Sequence, residues 1–278
     1  MTRWVGLNLI VMGLSIVQRT RLTIALNFKL QAWISLVSVL IAGCFGIIAA
    51  YKGLGVWALV FQTLISNIIQ TILLWICSKW HPSIKYSWQS FRILFSFGSK
   101  LLTSSLIQTI YTNLYSLVIG RFYNATDVGL YNRAYTISQY PSSNLTQVIT
   151  RVTYPLQCER QGEKEWLVNS FVEFLRLSCL IIFPILTFVA ISSKELVTLI
   201  LTDKWLACAP LVSILCIAYM WIPIGTLNNH IILCQGESGK FLKAEILKKA
   251  VAILILIFTL PFGIHILCWG LVLYNIID

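Results

Sequence analysis

Apolar positions in this chain do not alternate with polar ones; they run on. Between Lys29 and Lys52 stand 22 residues without a charge, and between Lys52 and Lys79 another 26. Leu101 to Gly120 adds 20, and Trp205 to Gly236 adds 32. Crossing the hydrocarbon core of a bilayer takes roughly 20 apolar helical residues. In lipid every backbone amide must bond within its own segment, so each run is expected to be helical. The pattern predicts spans near 4–18, 31–51, 54–78, 98–120, 126–150, 170–193, 206–234 and 243–262, with a ninth beginning near 264 and cut short. The expected fold class is therefore all-α, a polytopic transmembrane helix bundle of about eight full spans plus a truncated ninth.

The ends carry their own signals. Ala250 to Ile277 is charge-free over 28 residues with Pro261 and Gly263 in its middle, so one helix is expected to stop near Pro261 and another to start. Met1–Gln18 has Arg3 before an apolar stretch, Leu7–Val17, which also fits a signal peptide. No small-residue cleavage site follows it.

The spans differ in polarity. Gln62, Asn67 and Gln70 share one side of 54–78 and are expected to face other helices. The stretch Ala134–Thr150 holds Gln139, Ser142, Ser143, Asn144 and Gln147, which would be costly against lipid. Its partner span, 98–120, holds Ser104, Ser105, Gln108, Thr109, Thr112 and Asn113. Two such helices side by side suggest a hydrophilic cavity, although Ser, Thr and Asn also bridge helices in membranes. Pro141, Pro184 and Pro223 mark points where helices could break or simply tolerate a proline. Between the polar pair the turn reads Leu117 to Tyr135, where Gly120 is expected to close one helix and Thr126 or Asp127 to cap the next. Phe122, Tyr123, Tyr131 and Tyr135 are expected at the membrane interface. The patterns Asn124-Ala-Thr126 and Asn144-Leu-Thr146 match glycosylation acceptors, the second inside a span.

Composition agrees with a membrane protein: 58% hydrophobic, 11% charged and mean hydropathy +0.80, against roughly 25% charged in soluble domains. The net charge of +11 would suggest nucleic acid if it lay on one solvated face. Distributed over alternating loops, the 21 Lys and Arg divide 15 to 6, which reads as topology and contact with anionic headgroups, the richer side being cytoplasmic. Nucleic-acid binding is excluded on that distribution. The 8 cysteines show no C-x-x-C spacing and the 3 histidines none beside them, so neither metal nor cofactor is expected. His230 reads as a packing residue, and Glu173 with Arg176 as a local ion pair.

At these residues the chain resembles a known family. IGRFYNATDVGLYNRAY, the upstream FRILFSFGSKLLTSSLI and the downstream RVTYPLQCERQ look like the polysaccharide-export branch of the flippase superfamily that also holds multidrug and lipid II exporters. LNFKLQAW at 26–33, GLGVWALV at 53–60 and TDKWLACAPLVSIL at 202–215 extend the likeness over nearly the whole chain. The resemblance implies two pseudo-symmetric bundles around a central cavity, with this chain starting in about the fourth helix and ending in about the twelfth: 1–78 would be the remainder of the N-terminal bundle, 79–97 the cytoplasmic connection and 98–278 the C-terminal bundle, truncated at its end. It implies a bacterial inner-membrane carrier of lipid-linked oligosaccharide that makes and breaks no covalent bond. Its partners would be membrane lipids, a coupling ion (H+ or Na+) and a polysaccharide polymerase. Many relatives carry an Asp before the I-G-R where Tyr115 stands here, which puts carboxylate-based coupling in question.

Transport of a diphosphate with sugars needs positive charge and hydrogen-bonding groups along its path. The substrate-binding candidates are Arg121 and Arg133 for phosphate, with snorkelling to the interface as their alternative, and Asn113, Gln139 and Asn144 for sugar. Rival readings are a multidrug-type antiporter of the same superfamily and a membrane glycosyltransferase or ligase. The antiporter is expected to carry an acidic residue inside a span, and the interior is read as having none.

Overall fold

The computed structural model describes residues 2–78 and 86–278, and among them no strand forms. The chain divides into two compact units, Met1–Lys85 and Tyr86–Asp278. His81 and residues 79–85 of the expected connection lie outside the described residues.

The smaller unit holds α1 (Thr2–Ile24), α2 (Phe28–Tyr51) and α3 (Val56–Ser78), with α3 packed on both others. Asn27 starts α2 by accepting from the Leu30 amide at 3.2 Å, satisfying one of the donors that a helix N-terminus leaves open. Gly53 and Gly55 take φ of 77° and 52° in the turn to α3, a region in which a Cβ is strained. The three amides of α3 do face helices. Asn67 donates to Asn8 at 2.9 Å, Gln70 accepts from Arg19 at 2.9 Å, and Gln62 lies on Gly46. In exchange α2 turns Leu36, Leu40, Phe45 and Ile47 outward, the surface expected where lipid is the solvent.

The larger unit holds α4 (Trp88–Phe122), α5 (Ala125–Glu159), α6 (Lys164–Ile191), the short α7 (Ser193–Leu201), α8 (Ala209–Tyr219), α9 (Ile222–Cys234), α10 (Ser238–Thr259) and α11 (Ile264–Ile277). Its core is α8, where Leu211, Val212, Leu215 and Cys216 are buried by α5, α6 and α11. Among the described residues five segments are long and apolar enough to cross a membrane: α2, α3, α4, α6 and the stretch Asp203–Cys234. The polytopic all-α architecture read from the sequence stands.

Several local expectations change. Trp88–Phe97 is the first part of α4, not a loop, because Ser87 caps the helix there through the Ser90 amide. Gly120 lies inside α4, which ends at Phe122. Asn124, rather than Thr126 or Asp127, caps α5 by accepting from the Asp127 amide at 2.8 Å. Pro141 and Pro184 sit within unbroken helices, whereas Pro223 follows the break between α8 and α9, at a position where its missing N–H costs nothing. The break near Pro261 is present: α10 ends at Thr259, and Gly263, at φ 97°, precedes α11. Arg176 and Glu173 form no ion pair; both point outward, where an exposed pair gains little. α10 begins at Ser238, five residues before the expected span.

Candidate functional site

α5 presents two different polar faces. Ser138 and Ser142 are fully buried and donate to the Val212 and Tyr219 carbonyls of α8 at 3.1 and 2.7 Å. They fasten helix to helix, as small hydroxyls do in membrane bundles. One position on from Ser138, Gln139 turns to a cavity of about 510 Å³. Glue and cavity are thus both present, on neighbouring faces.

The cavity is bordered by α4, α5, the α8–α9 break, α9, α10 and α11. On one side α4 supplies Ser105, Gln108, Thr109 and Thr112. The hydroxyls of Thr109 and Thr112 already donate to carbonyls one turn back at 2.8 and 2.9 Å, so their lone pairs remain for a ligand's donors. Six tyrosines, on α4, α5, α8 and α11, also border it. Tyr274, Tyr111, Tyr115, Tyr131, Tyr135 and Tyr219 touch in sequence, each ring centroid 5.5–6.3 Å from the next. Edge-to-face and offset contacts at such separations are the favoured aromatic geometries. At the helix break, Trp221 borders the cavity with its indole N–H buried and unpartnered.

On the opposite side α10 and α11 bring charge into the bundle. Lys249 stands halfway along α10 and is only 7% exposed, as is Glu245 one turn before it. The Lys249 ammonium donates to the Tyr274 hydroxyl and lies 4.6 and 4.9 Å from the Tyr111 and Tyr274 ring centroids. Such cation–π placement helps to offset the loss of water around the ammonium. Glu245 Oε2 lies 4.0 Å from Lys249 Nζ, and Glu245 Oε1 accepts from Asn229 at 3.5 Å. Tyr274 in turn donates to Asp278 at 3.3 Å, and Lys248 pairs with Asp278 at 3.2 Å. Among the described residues no group of three or more His, Cys, Asp or Glu is arranged to hold a metal ion.

The sequence-derived candidates separate here. Gln139 borders the cavity; Asn113, Asn144, Arg121 and Arg133 do not. Asn113 donates to its own helix at Thr109, Asn144 and Arg121 are exposed, and Arg133 lies 5.3 Å over the Trp205 ring. Tyr131 and Tyr135, expected at the interface, belong to the ring wall, while Tyr123 donates to the Leu260 carbonyl. The interior is not free of acid, since Glu245 is buried there. Lys249, one of the basic residues counted over alternating loops, is an interior residue. The signal that marks both is the Glu245–Lys249 spacing of four inside a helix that starts at Ser238.

Residues 1–210 match the model of the family described as polysaccharide biosynthesis protein. The chain is 26% identical over 215 residues to the teichuronic acid biosynthesis protein TuaB of Bacillus subtilis, covering 77% of this chain and 44% of that one. It is 27% identical over 187 residues to the lipopolysaccharide biosynthesis protein WzxC of Escherichia coli, covering 66% and 38%. To the succinoglycan biosynthesis transport protein ExoT of Rhizobium meliloti it is 19% identical over 193 residues, covering 69% and 39%. The matched region is thus less than half of each of these relatives. No solved structure matches.

Proposed function

Because the chain belongs to the polysaccharide biosynthesis protein family, we propose that it serves to move a polyprenyl-diphosphate-linked oligosaccharide across the bacterial inner membrane, its larger unit receiving the polar head. The observation that carries this reading is the cavity: hydroxyls, amides, a lysine and two carboxylates gathered inside a bundle whose outer surface is apolar. A cavity of about 510 Å³ is of the size that receives part of a large ligand rather than all of it. Hydroxyl and amide side chains on α4 and α5 match the donors and acceptors of sugar, and the tyrosine rings match its apolar faces. Lys249 offers the positive charge that a diphosphate needs in a low dielectric. Transport of this kind needs no acid–base or nucleophilic chemistry from the protein. The printed name of ExoT, a transport protein of succinoglycan biosynthesis, supports the same reading.

The test is photolabelling. A benzophenone amino acid placed at Thr112 is expected to capture a radiolabelled polyprenyl-diphosphate oligosaccharide, and Lys249→Gln is expected to abolish the capture. Equal labelling with and without Lys249, or none at all, would overturn the reading. Glu245 favours one rival, because a buried acid suits a lipophilic drug cation in a multidrug-type antiporter. Competition decides between them: tetraphenylphosphonium displaces the label only if the cavity takes cations.

A further inference from the structure

Glu245 is held poorly for a buried carboxylate. Its two oxygens are reached by one amide at 3.5 Å and one ammonium at 4.0 Å, both beyond the usual length of a charge-assisted hydrogen bond. Lys249 is the better held partner: the Tyr274 hydroxyl oxygen accepts a hydrogen bond from it, and two rings cover it. An ammonium has three donors, so two remain, with the Glu245 carboxylate 4.0 Å away as their resident anion. A buried charge with incomplete hydrogen bonding is costly, and the cost falls when a ligand with several anionic oxygens completes the set. The charges here also cancel, Lys248 and Lys249 standing against Glu245 and Asp278. An empty site of that kind offers an anion no net attraction unless a resident carboxylate gives way.

We infer that Glu245 is an internal stand-in for the ligand's phosphate: it occupies the seat on Lys249 while the cavity is empty and yields it when a diphosphate arrives. This inference rests on the reading of the cavity as a diphosphate site and adds the residue that competes for it. Of the two acids, Glu245 is the one that moves aside. Asp278 is anchored directly on Lys248 and reaches Lys249 only through Tyr274. The consequence is that removing the Glu245 carboxylate strengthens anion binding.

The experiment is titration calorimetry of the purified chain in detergent with inorganic pyrophosphate. Glu245→Gln, which keeps the size and the contact to Asn229, is expected to tighten pyrophosphate by on the order of tenfold, within the range of coupling between neighbouring sites. Glu245→Asp draws the carboxylate back and is expected to fall between wild type and Glu245→Gln, which keeps the test open if one variant folds badly. Unchanged or weaker binding in both variants, with Lys249→Gln still losing pyrophosphate, overturns the stand-in while leaving the diphosphate site intact. If Asp278→Asn alone tightens binding, the seat is held from α11 and the assignment to Glu245 falls. Absence of binding in every protein, Glu245→Gln included, overturns both the stand-in and the diphosphate site.

Discussion

Gln139 and Asn144 are five positions apart on one helix, and only Gln139 borders the cavity. Gln139→Leu is therefore expected to weaken capture of the polyprenyl-diphosphate oligosaccharide about fivefold, the worth of one hydrogen bond of about 1 kcal/mol. Asn144→Leu is expected to leave capture unchanged, and equal losses in the two would place the sugar path elsewhere. The sequence marked both residues alike because it registers polarity and not direction. A difference of five residues turns an α-helix by well over a full turn, and only the packing partners of α5 tell which polar side is wet. Glu245 and Lys249 were harder to see for another reason. Lys240, Lys243, Lys248 and Lys249 together resemble a solvated loop, and the start of the helix five residues earlier than expected is what carries Lys249 to its midpoint. In the apolar core, burial follows sequence more directly. Leu215 is wholly buried in α8, and Leu215→Ala is expected to cost about 3 kcal/mol through the cavity it leaves. A thermal-shift or denaturant titration in detergent checks this; a loss below about 1 kcal/mol would mean that α8 is not the centre of the packing.

Helices, at the next scale, were the most legible part of the chain. The long charge-free runs became α2 and α3 nearly to the residue, because a span in lipid has no alternative way to satisfy its backbone. Proline was less informative. Pro141 and Pro184 leave their helices continuous and Pro223 follows a break. Close helix contact depends instead on small residues. A Cβ at Gly46 would come within 2.9 Å of the Gln62 side chain, so Gly46→Leu is expected to drive α2 and α3 apart. Disulfide trapping between cysteines introduced on facing positions of α2 and α3 checks it, with loss of the cross-link as the expected result and undiminished cross-linking as the contrary one. On α5, Ser142→Ala removes a donor to the Tyr219 carbonyl and is expected to cost about 0.6 kcal/mol, a typical worth for such a bond between membrane helices.

Across the whole molecule, every described residue that borders the cavity belongs to the unit Tyr86–Asp278, and the smaller unit holds polar contacts of its own, Asn67 to Asn8 and Arg19 to Gln70. The substrate-binding candidates read from the sequence, Asn113 to Asn144, all fall within that larger unit as well. That division has a measurable consequence. A protease site inserted between Lys85 and Tyr86 separates the units without touching a cavity residue. Cleavage of the purified protein in detergent is expected to leave pyrophosphate binding within about twofold of the intact chain, well under the tenfold that 1.4 kcal/mol represents. The Tyr wall explains why: its six rings come from α4, α5, α8 and α11, and their mutual contacts hold Lys249 in place from within one unit. Loss of binding on cleavage would mean that the smaller unit supplies part of what positions Lys249. Retention would locate anion recognition wholly within residues 86–278 and leave the smaller unit to act on the bound complex at another step of transport.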